Sequence, residues 1–175
     1  MLDLPIGSIP ALTLYGCWAW SIAHSEPADP ANNAYDKPWI KDCENRSRPL
    51  PDKLVGVPIA IHAGAHAFGP GTWAERTRHR NWWTWSCEQT GSRVPETVPL
   101  REIAAFVVFG PSETALRSPW RIVDTEQPTL AWPVRQVWRL PVALPMTRGA
   151  LGVWRLQGAA ADELRKLAAD AKRVL

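Results

Sequence analysis

Apolar positions in this chain fall in short runs that alternate or cluster, and prolines and glycines separate them. Ala11 to Tyr15 alternates and predicts a strand. Cys17 to His24 holds neither Gly nor Pro and predicts a short helix. Ser25 to Pro38 carries Pro27, Pro30, Asn32, Asn33 and Pro38 and reads as a loop. Lys41 to Arg46 is short and alternating, a strand pattern. Pro49, Pro51 and Gly56 mark a turn. Pro58 to His62 is a compact β-branched run, the pattern of a central strand. Ala63 to Pro99 is long and irregular. A stretch of that length is functional or holds a helix of its own, and Thr72 to Arg80 is the candidate helix. Ile103 to Phe109 is the clearest strand, and Val134 to Leu140 and Leu151 to Leu156 add two more. From Ala159 to Leu175, Leu164, Leu167, Ala168, Ala171 and Leu175 share one helical face. Asp162 and Glu163 in the first turn, and Lys172 and Arg173 in the last, suit the helix dipole.

Many short strands with Pro-rich turns and a few helices predict an α+β fold: a small mixed β-barrel of five or six strands with flanking helices. The 175 residues suit one domain over 1–175. An insert is expected at about 65–99 and a C-terminal helix at about 159–175. Composition sharpens this. Hydrophobic residues are 46% and charged residues 21%, which excludes a disordered tail, a coiled coil or a fibre. The 17 prolines exclude a bundle of long helices. The 11 tryptophans exceed what a small core needs, because Trp is rarely fully buried and its N–H wants a partner.

The net charge of +3 weakly favours an anionic partner. Its distribution is uneven: residues 1–40 carry one Lys and four acids, so the excess of bases lies beyond them. The densest basic stretch is Arg76, Arg78, His79 and Arg80, followed by Trp82, Trp83 and Trp85. Three cysteines with no C-x-x-C pair argue against a disulfide framework and for a reducing, cytoplasmic setting. The N-terminus has no basic segment of a secretory signal, and the longest apolar run, Ile103 to Phe109, is too short to span a bilayer. No membrane partner and no cofactor are expected.

The densest candidate chemistry lies in Lys41-Asp42-Cys43-Glu44-Asn45-Arg46. In a regular strand Asp42, Glu44 and Arg46 share a face, and Lys41, Cys43 and Asn45 face the other way. A bulge, or a strand start at Lys41, changes this. One reading is an exposed strand with ordinary ion pairs. The other is a pocket with an aromatic floor, built with the Trp-rich helix before it. His62 and His66 are four apart, but the intervening Ala-Gly-Ala is a turn and no third ligand is near, so no metal site is expected. His62 is instead the best general base on offer if the protein is an enzyme. Cys43 offers a thiol within the motif. The Arg76–Trp85 stretch divides evenly between a nucleic-acid arm and a helix whose Trp residues plug the barrel.

Four pieces in order resemble the ASCH domain family: Trp18-Ala-Trp20, Lys41-x-x-Glu44-x-Arg46, Ile59-Ala-Ile61-His62-Ala63-Gly64, and Pro145-x-x-x-Gly149-Ala-Leu-Gly152-Val-Trp154. The resemblance runs from Leu12 to about Leu156. Cys17 stands where the family pattern has Pro, Trp39 where it has Gly, and the loop between Trp20 and Lys41 is longer. The resemblance implies a PUA-like barrel and a role with nucleic acid or modified nucleosides. The expected ligand contacts are Trp18, Trp20, Trp39, Lys41, Glu44, Asn45 and Arg46, with Trp132, extended before Pro133, at the pocket mouth and Arg76, Arg78 and Arg80 of the basic stretch on the nucleic-acid backbone. Trp supplies stacking for a base, Glu accepts from an exocyclic amine, and Arg and Lys hold phosphates or carbonyl oxygens. A subgroup resembles amidohydrolases that remove an acyl group from the N4 amine of cytidine with a Lys and a Thr. Lys41 carries over, whereas Glu44 stands at the Thr position. Three functions are therefore weighed: recognition of RNA or a modified base; a hydrolase on modified cytidine, or a ribonuclease, using Lys41, Glu44 and His62; and a protein adaptor using exposed Trp patches.

Overall fold

The structure, a computed structural model, describes residues 2–28, 39–69, 71–122 and 129–175. The expected loop Ser25 to Pro38 lies largely outside the described residues. The elements run β1 (Ile9–Leu14), α1 (Gly16–Ala23), β2 (Cys43–Arg46), a 3-10 turn (Asp52–Leu54), β3 (Pro58–Ala63), α2 (Trp73–Gln89), β4 (Glu102–Phe109), β5 (Leu130–Pro145), β6 (Val153–Leu156), α3 (Gly158–Ala169) and β7 (Lys172–Arg173).

The strands form one mixed sheet in the order β2-β5-β4-β3-β1-β6, with β7 against β5. The sheet curls as a half-barrel, and the fold is α+β. β1 and β3 pair in parallel, which requires the crossover that α1 and β2 occupy. The central strands bury both faces, so their sequences read as nearly unbroken apolar runs. Leu12, Leu14, Ile59, Ile61, Val107 and Phe109 enter a core covered by α1 and the C-terminal half of α2. Ile9, Ala11, Ala60 and Phe106 point the other way, onto Leu164 and Ala168 of α3.

Several boundaries differ from the sequence expectation, each for a physical reason. β5 extends well beyond Val134 to Leu140, although it contains Pro133, Pro141 and Pro145. Pro141 sits where the register against β4 shifts between Leu144 and Arg139, so no ladder hydrogen bond is lost there. The middle helix continues past Arg80 to Gln89, because Trp83, Ser86 and Cys87 pack inward along one face. A capping box between Thr72 and Glu75 fixes its start. The last helix stops at Ala169, and the tail turns back as β7 to pair with β5. β6 starts at Val153 and not Leu151, because Gly152 holds φ +71°.

Among the described residues, no helix is long and apolar enough to cross a membrane. Cys17, Cys43 and Cys87 are free and buried. Burial pushes all three thiols up, Cys43 and Cys87 to about 12. A thiol with a raised folded pKa favours the unfolded chain once the pH passes its ordinary value near 9. Stability is therefore expected to be intact below pH 9 and to fall progressively as pH rises from 9 towards 12. A thiol reagent applied at pH 8 should leave the native protein unlabelled and label it on denaturation. Rapid labelling of any native cysteine would contradict this burial.

Candidate functional site

β2 is held by antiparallel pairing with the first residues of β5, which sets Glu44 opposite Trp132. The strand begins only at Cys43. Lys41 therefore lies ahead of it, anchored by its backbone N–H to the Ser21 carbonyl of α1 at 2.9 Å. Its side chain folds towards Glu44, and Nζ lies 2.8 Å from Glu44 Oε2. It also donates to the Cys43 carbonyl. This corrects the regular-strand expectation that Lys41 and Glu44 face opposite ways. Asp42 accepts from the Ser118 hydroxyl, away from this pair.

Glu44 is a shared carboxylate. Its other oxygen, Oε1, is 3.2 Å from Arg46 Nε. That contact is an ion pair without an aligned hydrogen bond, since Arg46 Nε satisfies no hydrogen-bond geometry. Lys41 is 1% and Glu44 6% exposed, so water screens their attraction poorly. Two cations against one carboxylate leave the group with one net positive charge. Cys43, between Lys41 and Glu44, keeps its proton at neutral pH and is no nucleophile.

A cleft of about 470 Å³ opens above Glu44 and Arg46. Tyr15 and Trp18 from the start of α1 form one wall, and Gly64 to His66 after β3 form another. His79 of α2 and the Leu151–Gly152 turn border its mouth. A smaller hollow of about 50 Å³ adjoins it, sharing Trp18 and Glu44 and reaching Lys41 and Trp82. The Trp18 ring is 4.9 Å from Trp82, and Lys41 Nζ lies 5.9 Å from the Trp18 ring centre. Trp120, fully buried, meets Trp18 edge-on at 6.5 Å and backs it. Tyr15 and His79 meet edge-on at 6.5 Å. Burial raises the Tyr15 phenol, and the nearby Arg46 charge opposes that shift.

Asn45 borders the cleft, but both ends of its amide are used. Nδ2 donates to the Trp120 carbonyl at 2.7 Å, and Oδ1 accepts from the Ile122 N–H at 2.9 Å. Asn45 thus fixes the segment that carries Ile122 to the cleft wall. Trp20, Trp39 and Trp132 do not line the cleft. Trp20 packs edge-on against Trp83 at 5.7 Å and faces a separate groove with His24 and Glu102. Trp39 packs against the main core, and its carbonyl accepts from Ser92. Trp132 donates its indole N–H to the Arg48 carbonyl, and Arg46 sits 5.7 Å over its ring. It supports the arginine from behind.

His62 is not placed as a general base. It is 2% exposed, with Nε2 2.9 Å from the Met146 carbonyl and Nδ1 3.1 Å from Thr13 Oγ1. In the neutral ring Nε2 donates to the carbonyl and Nδ1 accepts from the hydroxyl. Burial lowers its pKa and keeps the ring neutral. Among the described residues, no group of three or more His, Cys, Asp or Glu is placed to hold a metal ion.

Arg76, Arg78 and Arg80 are exposed on α2, while Trp82 and Trp83 of the same helix pack inward. The cationic stretch thus lies in the exposed N-terminal half of the helix, and the Trp plug lies in its C-terminal half. Sequence reasoning missed Tyr15, His79 and Leu151 as cleft residues. His79 was legible, because it lies three residues before Trp82 and so on the same helical face. Neither the models of known protein families nor the curated proteins match this chain.

Proposed function

We propose that this chain is a PUA-like, ASCH-type domain whose cleft receives a single base from RNA or from DNA carrying a modified base. The observation that carries this reading is the join of an aromatic wall to a polarised carboxylate. Trp18 lines the cleft and is packed against Trp82 at 4.9 Å, and Glu44, set between Lys41 and Arg46, offers an acceptor for an exocyclic amine. Arg46 turns Nε to Glu44, leaving its terminal nitrogens for a carbonyl or phosphate oxygen of the ligand. His79 borders the same cleft. Outside the cleft, Arg76, Arg78 and Arg80 supply cations for the phosphate backbone.

A fluorescence titration with single-stranded RNA and with modified DNA oligonucleotides tests this. Tight binding that weakens with salt is expected. Arg78→Ala should weaken every sequence alike and reduce the salt slope by about one. Absence of binding to any of these ligands would overturn the reading.

A second reading draws on the 2.8 Å contact between Lys41 and Glu44 at the floor of the hollow. In it the pair hydrolyses an acyl group on the N4 amine of cytidine. Lys41 then has to give up a proton while its N–H groups are engaged by Glu44 and the Cys43 carbonyl. Unchanged mass spectra after incubation with acylated cytidines would remove this reading and leave the first intact.

A further inference from the structure

Leu151 is 101% exposed, yet it stands on the lip of the cleft. The turn that carries it is not loose. Its start is held by the Met146 carbonyl on His62 Nε2 at 2.9 Å. Its middle is held by Gly149, where an added Cβ would lie 2.4 Å from both His62 Nδ1 and Thr13 Oγ1. Its end is held by Val153, paired with Leu12 of β1. Trp154 closes the group, donating its indole N–H to Thr13 Oγ1 at 3.0 Å. Buried His62, which has no free nitrogen for chemistry, thus serves to pin this turn. Gly152, at φ +71°, turns the chain directly after Leu151.

Single exposed apolar side chains are common on protein surfaces, and what distinguishes Leu151 is its place on a pinned turn beside the cleft. Ile6 is equally exposed, but it borders no part of the cleft. The cleft beside Leu151, of about 470 Å³, has room for a base. Removing one base from a stack leaves a gap, and an apolar side chain inserted between base steps fills such gaps. Exposed Arg148, three residues before Leu151, stands ready for the flanking phosphate.

We propose that Leu151 is a wedge which enters a base-paired duplex and holds open the gap left by a base drawn into the cleft. This rests on the base-binding reading of the cleft, and it adds that the substrate is double-stranded. The bound base leaves its stack, so the wedge acts on duplexes and is idle on single strands. Fluorescence of 2-aminopurine placed beside the target position reports loss of stacking.

The test compares wild type, Leu151→Asp and Leu151→Met on a DNA duplex with and without a modified base, an RNA duplex and the matching single strands. Wild type is expected to bind at least one duplex and raise the aminopurine signal. Leu151→Asp should bind that duplex roughly tenfold or more weakly, with no rise in signal and unchanged single-strand affinity. Leu151→Met, still apolar, should retain both. The duplex that responds tells DNA from RNA. Equal loss on duplex and single strand, or no loss on either, overturns the wedge while leaving the base cleft standing. Binding of single strands without duplexes does the same. Binding of no probe by wild type overturns both.

Discussion

Glu44→Ala is expected to destabilise the protein by about 3–5 kcal/mol, the penalty for leaving a buried charge without its partner. Lys41 is 1% exposed, and among the described residues the hydrogen bond left to it is the one to the Cys43 carbonyl. Urea denaturation measures the loss as a lower midpoint at constant slope. The double change Lys41→Met with Glu44→Leu removes both charges and keeps the volume. It should recover most of that stability, because the desolvation of two ions disappears with their attraction. A double variant no more stable than Glu44→Ala would show that the ion pair is not what the single change breaks. The same double variant should fail to bind a base. Stability and function would then separate in one protein, which is the mark of a charged group kept for its chemistry.

Trp18→Ala should have the second large effect, and Trp20→Ala is its control. Each indole is 8% exposed, and each deletion opens a cavity worth about 3–5 kcal/mol of stability. They differ in what they face. Trp18 forms the cleft wall, whereas Trp20 turns towards the groove with His24. Per folded molecule, Trp18→Ala should lose the stacking contribution of roughly 1–3 kcal/mol in binding, and Trp20→Ala should lose none. Isothermal titration well below both melting temperatures measures this. Equal losses in the two variants would contradict the assignment of Trp18 to the base.

The strands buried on both faces were the most legible part of the fold. Ile103 to Phe109 is wholly apolar and Pro58 to His62 is apolar up to its last residue, and both form strands nearly as read. The Lys41, Glu44 and Arg46 grouping was legible as residue types and not as geometry. Period-two alternation assumes a regular strand, and here pairing with β5 reaches back only to Cys43. What a prolyl residue does was also hidden. Pro141 reads as a breaker, but the register shift opposite Ile103 and Ala105 makes a place for it. The tail misled for a different reason. Ala171 and Leu175 keep a helical period, yet the chain leaves the helix at Ala169 and adds residues to the edge of β5.

The Trp surplus separates only in three dimensions. Trp20, Trp39 and Trp132 lie near the motif in sequence or in sheet register, and each is spent on packing or on a backbone hydrogen bond. Trp82 lies far away in sequence and meets Trp18 at 4.9 Å. No local pattern could pair them, because α2 reaches α1 only through tertiary packing.

The most direct test of a base-binding cleft is a crystal structure of the protein with a cytidine or adenosine nucleotide. The expected result is an ordered base lying against Trp18, with its exocyclic amine within hydrogen-bond distance of Glu44. A base bound elsewhere on the protein, or a cleft that stays empty at saturating nucleotide, would contradict it.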